Sequence, residues 1–318
     1  MAPKFSIIIN SYNRLDSLLT TIESVLKQSY TDFELIIVDD GSTDNTERKL
    51  KSHEYRNKFV YVKQKNMGCP SSRNTGIFKA KGEYISFLDS DIICSPDWLY
   101  NVWEVMTQRE DIDILGTIPI PGEFVKQLKL MKSIGPTVQK RIAEVSQVGG
   151  GVSTIRRNVF NKIGILDEAG KFGYLEDTEF CWRAVLNGLK VCYLYDILTF
   201  HMKDNTEGSR LKIDILNFEK IKNKYYLMLK LMDKKTIYIY FMKEFLKSII
   251  LIFKNQKNFI PLIKSAIWIY KNRYGIIHNR INTRKTFITD IETIKRLQKT
   301  EREMDKINQE YFLKILKE

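Results

Sequence analysis

Cysteine is scarce in this 318-residue chain: there are four, Cys69, Cys94, Cys181 and Cys192, with no Cys-x-x-Cys among them. That spacing argues against a zinc ribbon or a disulfide framework and suits a reducing compartment. No Gly-x-Gly-x-x-Gly follows the first apolar run and no Gly-rich loop ends in Gly-Lys-Ser/Thr, so neither the usual dinucleotide fold nor a P-loop is supported. Internal repeats and low-complexity blocks are missing beyond a Lys/Asn/Ile bias. The N-terminal apolar run, "FSIII", is too short for a signal peptide, which makes the cytoplasm the expected location.

What is present is unevenly distributed. The net charge is +13, yet residues 1–204 hold 26 basic and 26 acidic side chains, while residues 205–318 hold 25 and 12. A neutral region is therefore followed by a basic one with a different task. The hydrophobic share of 43% is that of an ordinary folded core.

Through the first half, strand-like runs alternate with helix-like patterns. "FSIIIN" precedes amphipathic "DSLLTTIESVLKQ", "FELIIV" precedes a polar helix near 44–52, "FVYV" precedes a helix near 72–80, and "YISFL" precedes a helix from Pro96 to about Gln108. Ser95 reads as the N-cap of that last helix and Pro96 as its first residue. Alternation of this kind predicts a mostly parallel sheet with helices on both faces, and ligands bind such sheets beyond the carboxyl ends of the strands.

Acidic side chains collect at those ends. "VDDGSTD" places Asp39 and Asp40 after the second run, "LDSD" places Asp89 and Asp91 after the fourth, and "YLEDTEF" places Glu176 and Asp177 ahead of an amphipathic run. Two carboxylates one residue apart repel unless a cation lies near them, and a hard divalent ion shared with substrate phosphates is one such cation. A solvated turn is the plainer alternative.

In order along residues 5–210, "SIIINSYNR", "FELIIVDDGSTDNT", "NMGCPSSRNTGIFKAKGEYISFLDSD", "GGGVSTIRRNVFNKIGILDE", "FGYLEDTEFCWRAVLNG" and "TFHMKDN" closely resemble the family 2 glycosyltransferases. The resemblance implies an α/β GT-A fold: a Rossmann-like, mostly parallel mixed sheet with helices on both faces, binding a nucleotide-sugar with a divalent metal. Residues 1–118 form the expected nucleotide-sugar half and 119–210 the acceptor half; 211–318 form a basic helical C-terminal region.

Carried over by position, the resemblance implies that Tyr12, Asn13, Asp40, Arg73 and Asp89 contact the donor. Tyr12 lies near the base, Asp40 accepts from it, Arg73 lies by the base or phosphates, and Asp89 approaches the ribose. Asp39 and Asn74 are support residues. Asp91, in the DXD motif, and His201 bind manganese or magnesium, although a lone histidine is more often structural. Asp177 is the expected general base of an inverting displacement. Glu176 is an alternative base or an acceptor ligand, and either acid could instead cap the following helix. Lys203 and Arg210 would reach the diphosphate from a closing loop. A UDP-sugar is the favoured donor.

Two features depart from the family pattern, the first of them expected to be tolerated. Asn10 stands where a proline is common, and the Gln-x-x-Arg-Trp of processive polymerases is missing, the stretch reading "FCWRAVLNG", which argues for one sugar or few per encounter. The expected acceptor is a glycan, lipid-linked because of the basic tail, at the inner face of the plasma membrane. In "TIYIYFMKEFLKSIILIFK" Lys243, Lys247 and Lys254 make a narrow cationic stripe suited to an anionic membrane surface, or the helix packs on the catalytic domain or a partner. Nucleic acid is not an expected partner. The last residues, "ETIKRLQKTEREMDKINQEYFLKILKE", have a helical pattern that could support a homo-oligomer. Transfer to a protein or peptide side chain is the rival activity, and an inactive nucleotide-sugar-binding scaffold the rival class.

Overall fold

The computed structural model describes residues 2–52, 54, 56–121, 140–170, 175–202, 213–239, 242–243 and 259–315. Strands β1 (Phe5–Ser11), β2 (Phe33–Asp39), β3 (Val60–Lys63) and β4 (Tyr84–Asp89) run parallel in the order β3-β2-β1-β4. Helices α1 (Leu15–Leu26), α2 (Thr46–Ser52) and α3 (Cys69–Lys79) connect them, as the alternation predicted.

Beyond β4 the sheet changes character. It continues with β8 (Val152–Arg156), β6 (Ile114–Pro121), β9 (Val191–His201) and β5 (Ile92–Cys94), with β7 (Ile142–Glu144) pairing β9. β4–β8, β6–β8, β5–β9 and β7–β9 are antiparallel, and only β6–β9 is parallel. The expected mixed sheet is thus wholly parallel in its first half, while its second half combines antiparallel pairs with the parallel β6–β9 pair. In the first half the β-α-β rhythm imposes parallel crossovers; among the described residues past Gln108, β7 is followed by β8 with no helix between them.

Two cores cover the sheet faces. Ile7 and Ile9 of β1 point to one face, with Leu18, Ile22 and Val25 of α1 and Trp98, Leu99 and Val102 of α4 (Trp98–Gln108). Ile8 points to the other, beside Ile77 of α3. At Gly76 a Cβ would stand 2.4 Å from Ile8 Cγ2, so glycine lets α3 lie close on the strand. α4 begins at Trp98, two residues after Pro96: the Ser95 carbonyl accepts from Gln28 Nε2 (2.7 Å) and the Pro96 carbonyl from Ser29 N–H (2.9 Å), which ties that turn to the end of α1.

The second half adds α5 (Arg157–Ile163) and α6 (Glu176–Leu186), followed by α7 (Ile213–Leu231), α8 (Phe259–Arg284) and α9 (Ile291–Ile315). Leu227 and Leu231 of α7 and Ile291, Ile294 and Leu297 of α9 enter the same core as α6. The apolar face of the first turns of α9 is thereby used within the chain. Lys203 and Arg210 lie outside the described residues, as do Lys247, Lys254 and most of the stretch that carries them.

Candidate active site

The chain turns at Ser90, and this turn resolves the two neighbouring carboxylates. Asp89 ends β4 with its side chain 33% exposed, whereas Asp91, before β5, is 2% exposed. Each meets a different cation. Asp89 Oδ1 accepts from Arg73 Nη2 at 2.9 Å; Asp91 Oδ2 accepts from Arg14 Nη1 at 2.5 Å and lies 3.5 Å from His201 Nε2. β5 pairs Ile92 with His201 across the ladder, and this pairing brings the histidine, itself 47% exposed, to the acid. Burial and the neighbouring Asp89 charge raise the Asp91 carboxyl above the usual range, against Arg14 and His201.

Arg73 occupies the centre. It is 2% exposed, on α3, and its guanidinium bridges Asp89 and Glu176, Nη1 donating to Glu176 Oε1 at 3.2 Å. A surface position is therefore ruled out. A Cβ at Gly150 would stand 2.3 Å from Arg73 Nη1, and one at Gly151 2.7 Å from Asp89 Oδ2, so two glycines of "GGG" let the backbone close over this pair. Burial, and then the charge of Asp177, push the Glu176 carboxyl up to about 7, against Arg73. Asp177 opens α6 beside it; its Oδ2 accepts from Gly150 N–H at 3.1 Å and its Oδ1 from Thr178 N–H at 2.7 Å. Leu175, just before the helix, takes φ 76°, a left-handed turn that sets both acids at the helix start.

The residues expected on the donor side gather around the end of β2. Asp39 is fully buried and accepts from Ser42 N–H (2.7 Å) and Tyr61 Oη–H (2.5 Å). Asp40 accepts from Gln64 Nε2 (2.7 Å), Met67 N–H (3.0 Å) and Gly68 N–H (2.8 Å). A carboxylate has about four acceptor positions, so one remains for a ligand. Asn13 sits at φ 51°, a conformation asparagine tolerates, with its Oδ1 accepting from Thr43 N–H (2.8 Å) and its own N–H donating to Ser42 Oγ (2.9 Å). It clasps the β1 and β2 loops together, and Tyr12 beside it is 37% exposed. Asn74 holds the loop after α5, exchanging hydrogen bonds with the Leu166 backbone and donating to Glu168 Oε1 at 2.8 Å.

Arg14, Gln64, Gly150 and Gly151 are the residues that sequence reasoning left without roles. Arg14 and the glycines lie inside quoted motifs, "SYNR" and "GGGVST", but nothing local shows that Arg14 meets an acid 77 residues away.

Comparison with known proteins now decides the family. The family described as Glycosyl transferase family 2 matches residues 6–164, half of the chain. The chain belongs to that family. It is 30% identical over 211 residues to an uncharacterised glycosyltransferase of Rickettsia typhi, covering 62% of this chain and 63% of the relative. It is 39% identical over 109 residues to TuaG of Bacillus subtilis, named for teichuronic acid biosynthesis, covering 34% of this chain and 43% of TuaG. The match spans as little as 13% of one relative from Rickettsia bellii and 63% of the R. typhi one.

Among solved structures, the mannosyltransferase PcManGT of Pyrobaculum calidifontis, with GDP-Man and Mn2+, aligns at TM-score 0.55 and 15% identity, covering 86% of this chain and 76% of PcManGT. GalNAc-T7, with UDP, GalNAc and Mn2+, aligns at 0.59 and 17%, covering 75% and 50%. These likenesses show the GT-A fold of the transferase.

Proposed function

We propose that this glycosyltransferase is metal-dependent and inverting, and that it moves one sugar, or few, per encounter from a nucleotide diphosphate-sugar, with a UDP-sugar favoured, to a hydroxyl of a lipid-linked glycan. The setting is cell-surface polysaccharide or glycolipid biosynthesis at the inner face of the plasma membrane, where the enzyme is peripheral. The name of TuaG supports the setting, and the nucleotide-sugars and Mn2+ of the two structural neighbours support the donor class.

The observation that carries the metal reading is Asp91 Oδ1, a buried oxygen without a hydrogen-bond partner among the described residues, in a carboxylate that already faces His201. An orphaned acceptor of this kind fits a cation. Among the described residues no three His, Cys, Asp or Glu side chains form a ready cage; the donor's phosphates would supply further ligands beside Asp91 and His201. A divalent ion bound there would neutralise charge on the departing nucleoside diphosphate.

The rest follows from the protein's own groups. Glu176 is locked to Arg73, whereas Asp177 is held by two backbone N–H groups and the Thr178 hydroxyl (3.4 Å) and can accept the proton of an acceptor hydroxyl. As that proton transfers, the hydroxyl oxygen attacks the anomeric carbon on the face opposite the diphosphate, and a single displacement inverts the configuration. Arg73 fixes Asp89 on the donor side and Glu176 beside the base, and so keeps the two halves of the site in register.

A panel of nucleotide-sugars tests the reading, with manganese, magnesium or chelator present, and nucleoside diphosphate release followed with and without membrane lipid extract. Release from one donor, requiring metal and stimulated by lipid extract, is expected. Equal turnover in chelator would overturn the metal assignment, and turnover only with a soluble peptide would replace the lipid-linked acceptor by a protein one.

A further inference from the structure

Helix α8 carries an apolar stripe along its length that no described residue covers. Ile260, Ile263, Ile267, Tyr270, Tyr274, Ile277 and Ile281 recur at alternating steps of three and four, and each is between 43% and 72% exposed. At the α-helical period they fall within about 100° of arc over about 30 Å. The opposite side of the helix is docked: Ser265 and Ile276 are buried, Trp268 meets Tyr226 of α7 edge-on at 6.1 Å, and Arg280 and Arg284 donate to backbone carbonyls at Leu229 and Leu231. The stripe is therefore the outer face of a helix that is already anchored.

Charge decides what covers it. The helix contains no Asp or Glu. Exposed Lys264 and Lys271 flank the stripe on one side and Arg273 on the other, its guanidinium stacked between Tyr270 and Tyr274 at 4.3 and 4.4 Å. The three-four spacing is also that of a coiled-coil seam, but the flanking positions of such a seam hold Lys264, Lys271 and His278 on one side and Ala266, Arg273 and Arg280 on the other. Pairing with a second copy would oppose like charges in either orientation. No described helix is long and apolar enough to cross a membrane. Isoleucines flanked by lysines, with tyrosines whose rings are apolar and tips polar, match the boundary between headgroups and acyl chains.

We propose that α8 lies flat on an anionic lipid surface, with the Ile260–Ile281 stripe inserted and Lys264, Lys271 and Arg273 against the headgroups. The surface deepens the lipid-linked reading of the acceptor and rests on it for its purpose, but it is tested without donor or acceptor, so the two fail separately.

The test is sedimentation of the full chain with vesicles of phosphatidylcholine alone or mixed equally with phosphatidylglycerol. Binding to the mixed vesicles is expected, weakened by salt, and reduced about tenfold or more in both I267E/Y270E and K264E/K271E. Both variants alter exposed side chains, and an unchanged circular dichroism spectrum and unchanged thermal unfolding midpoint confirm that they fold. No binding of the unaltered chain, or full binding by both variants, overturns the proposal. A dimer in analytical ultracentrifugation that I267E/Y270E splits, with no vesicle binding, also overturns it and gives the stripe to a second copy.

Discussion

Replacing Arg73 by methionine keeps the length of the side chain and removes the charge that holds Asp89 and Glu176. Breaking a buried ion pair from one side costs about 3–5 kcal/mol, because the remaining acid stays buried without compensation. Asp89 is a third exposed and water can take over there, so the loss falls at the lower end, about 3 kcal/mol. Glu176 has another escape: its carboxyl, already at about 7, protonates. Without Arg73 it titrates higher still. Below about 7 the acid is neutral in both proteins, whereas above it only the variant must keep paying to hold a proton or bury a charge. The destabilisation should therefore widen with pH by about 1.4 kcal/mol per unit until the variant's own value is passed. Urea unfolding followed by tryptophan fluorescence at pH 6 and pH 8 measures this. A difference under about 1 kcal/mol at both, or one larger at pH 6, refutes the bridging role. Adding Glu176→Gln should remove the widening and leave the remainder.

Glu176→Gln alone should change the pH dependence of the parent. A carboxyl raised on folding is bound to a proton in the native state when the unfolded chain has already released its own. Stability is thus full below about 4.5 and falls as pH rises to about 7, by about 3 kcal/mol, and the glutamine variant should be flat across that window in urea titrations. Asp177→Asn should lower transfer by about 10²–10⁴-fold while nucleotide binding by calorimetry is unchanged; equal loss of both would remove the base assignment. Asp91→Asn should abolish the metal dependence of nucleotide binding, and a variant titrating with manganese like the parent would disprove ligation. Gly76→Ala pushes a methyl group against Ile8 and should lower stability by about 1–3 kcal/mol in thermal or urea unfolding, with a neutral result showing that α3 shifts freely.

The sequence by itself determined the elements and the positions of most reactive groups. Two-residue and 3.6-residue periodicities are local, so β1, β2, β4, α1 and α3 were legible, and the acids at the strand ends followed from the run boundaries. The family resemblance raised the expectation that Asp89, Asp91, Glu176 and Asp177 share one site. Only the tertiary structure decided which cation answers which acid. Arg14 meets Asp91 across 77 residues and Arg73 meets Glu176 across 103, pairings set by strand order and by two glycines that let the backbone close in. It also decided that the second half of the sheet combines antiparallel pairs with the parallel β6–β9 pair and that α4 starts late, since both depend on what the neighbouring chain offers the backbone. The face of α8 belongs to the same class: periodicity marks an apolar stripe, but packing of its other side on α7 left that stripe outside.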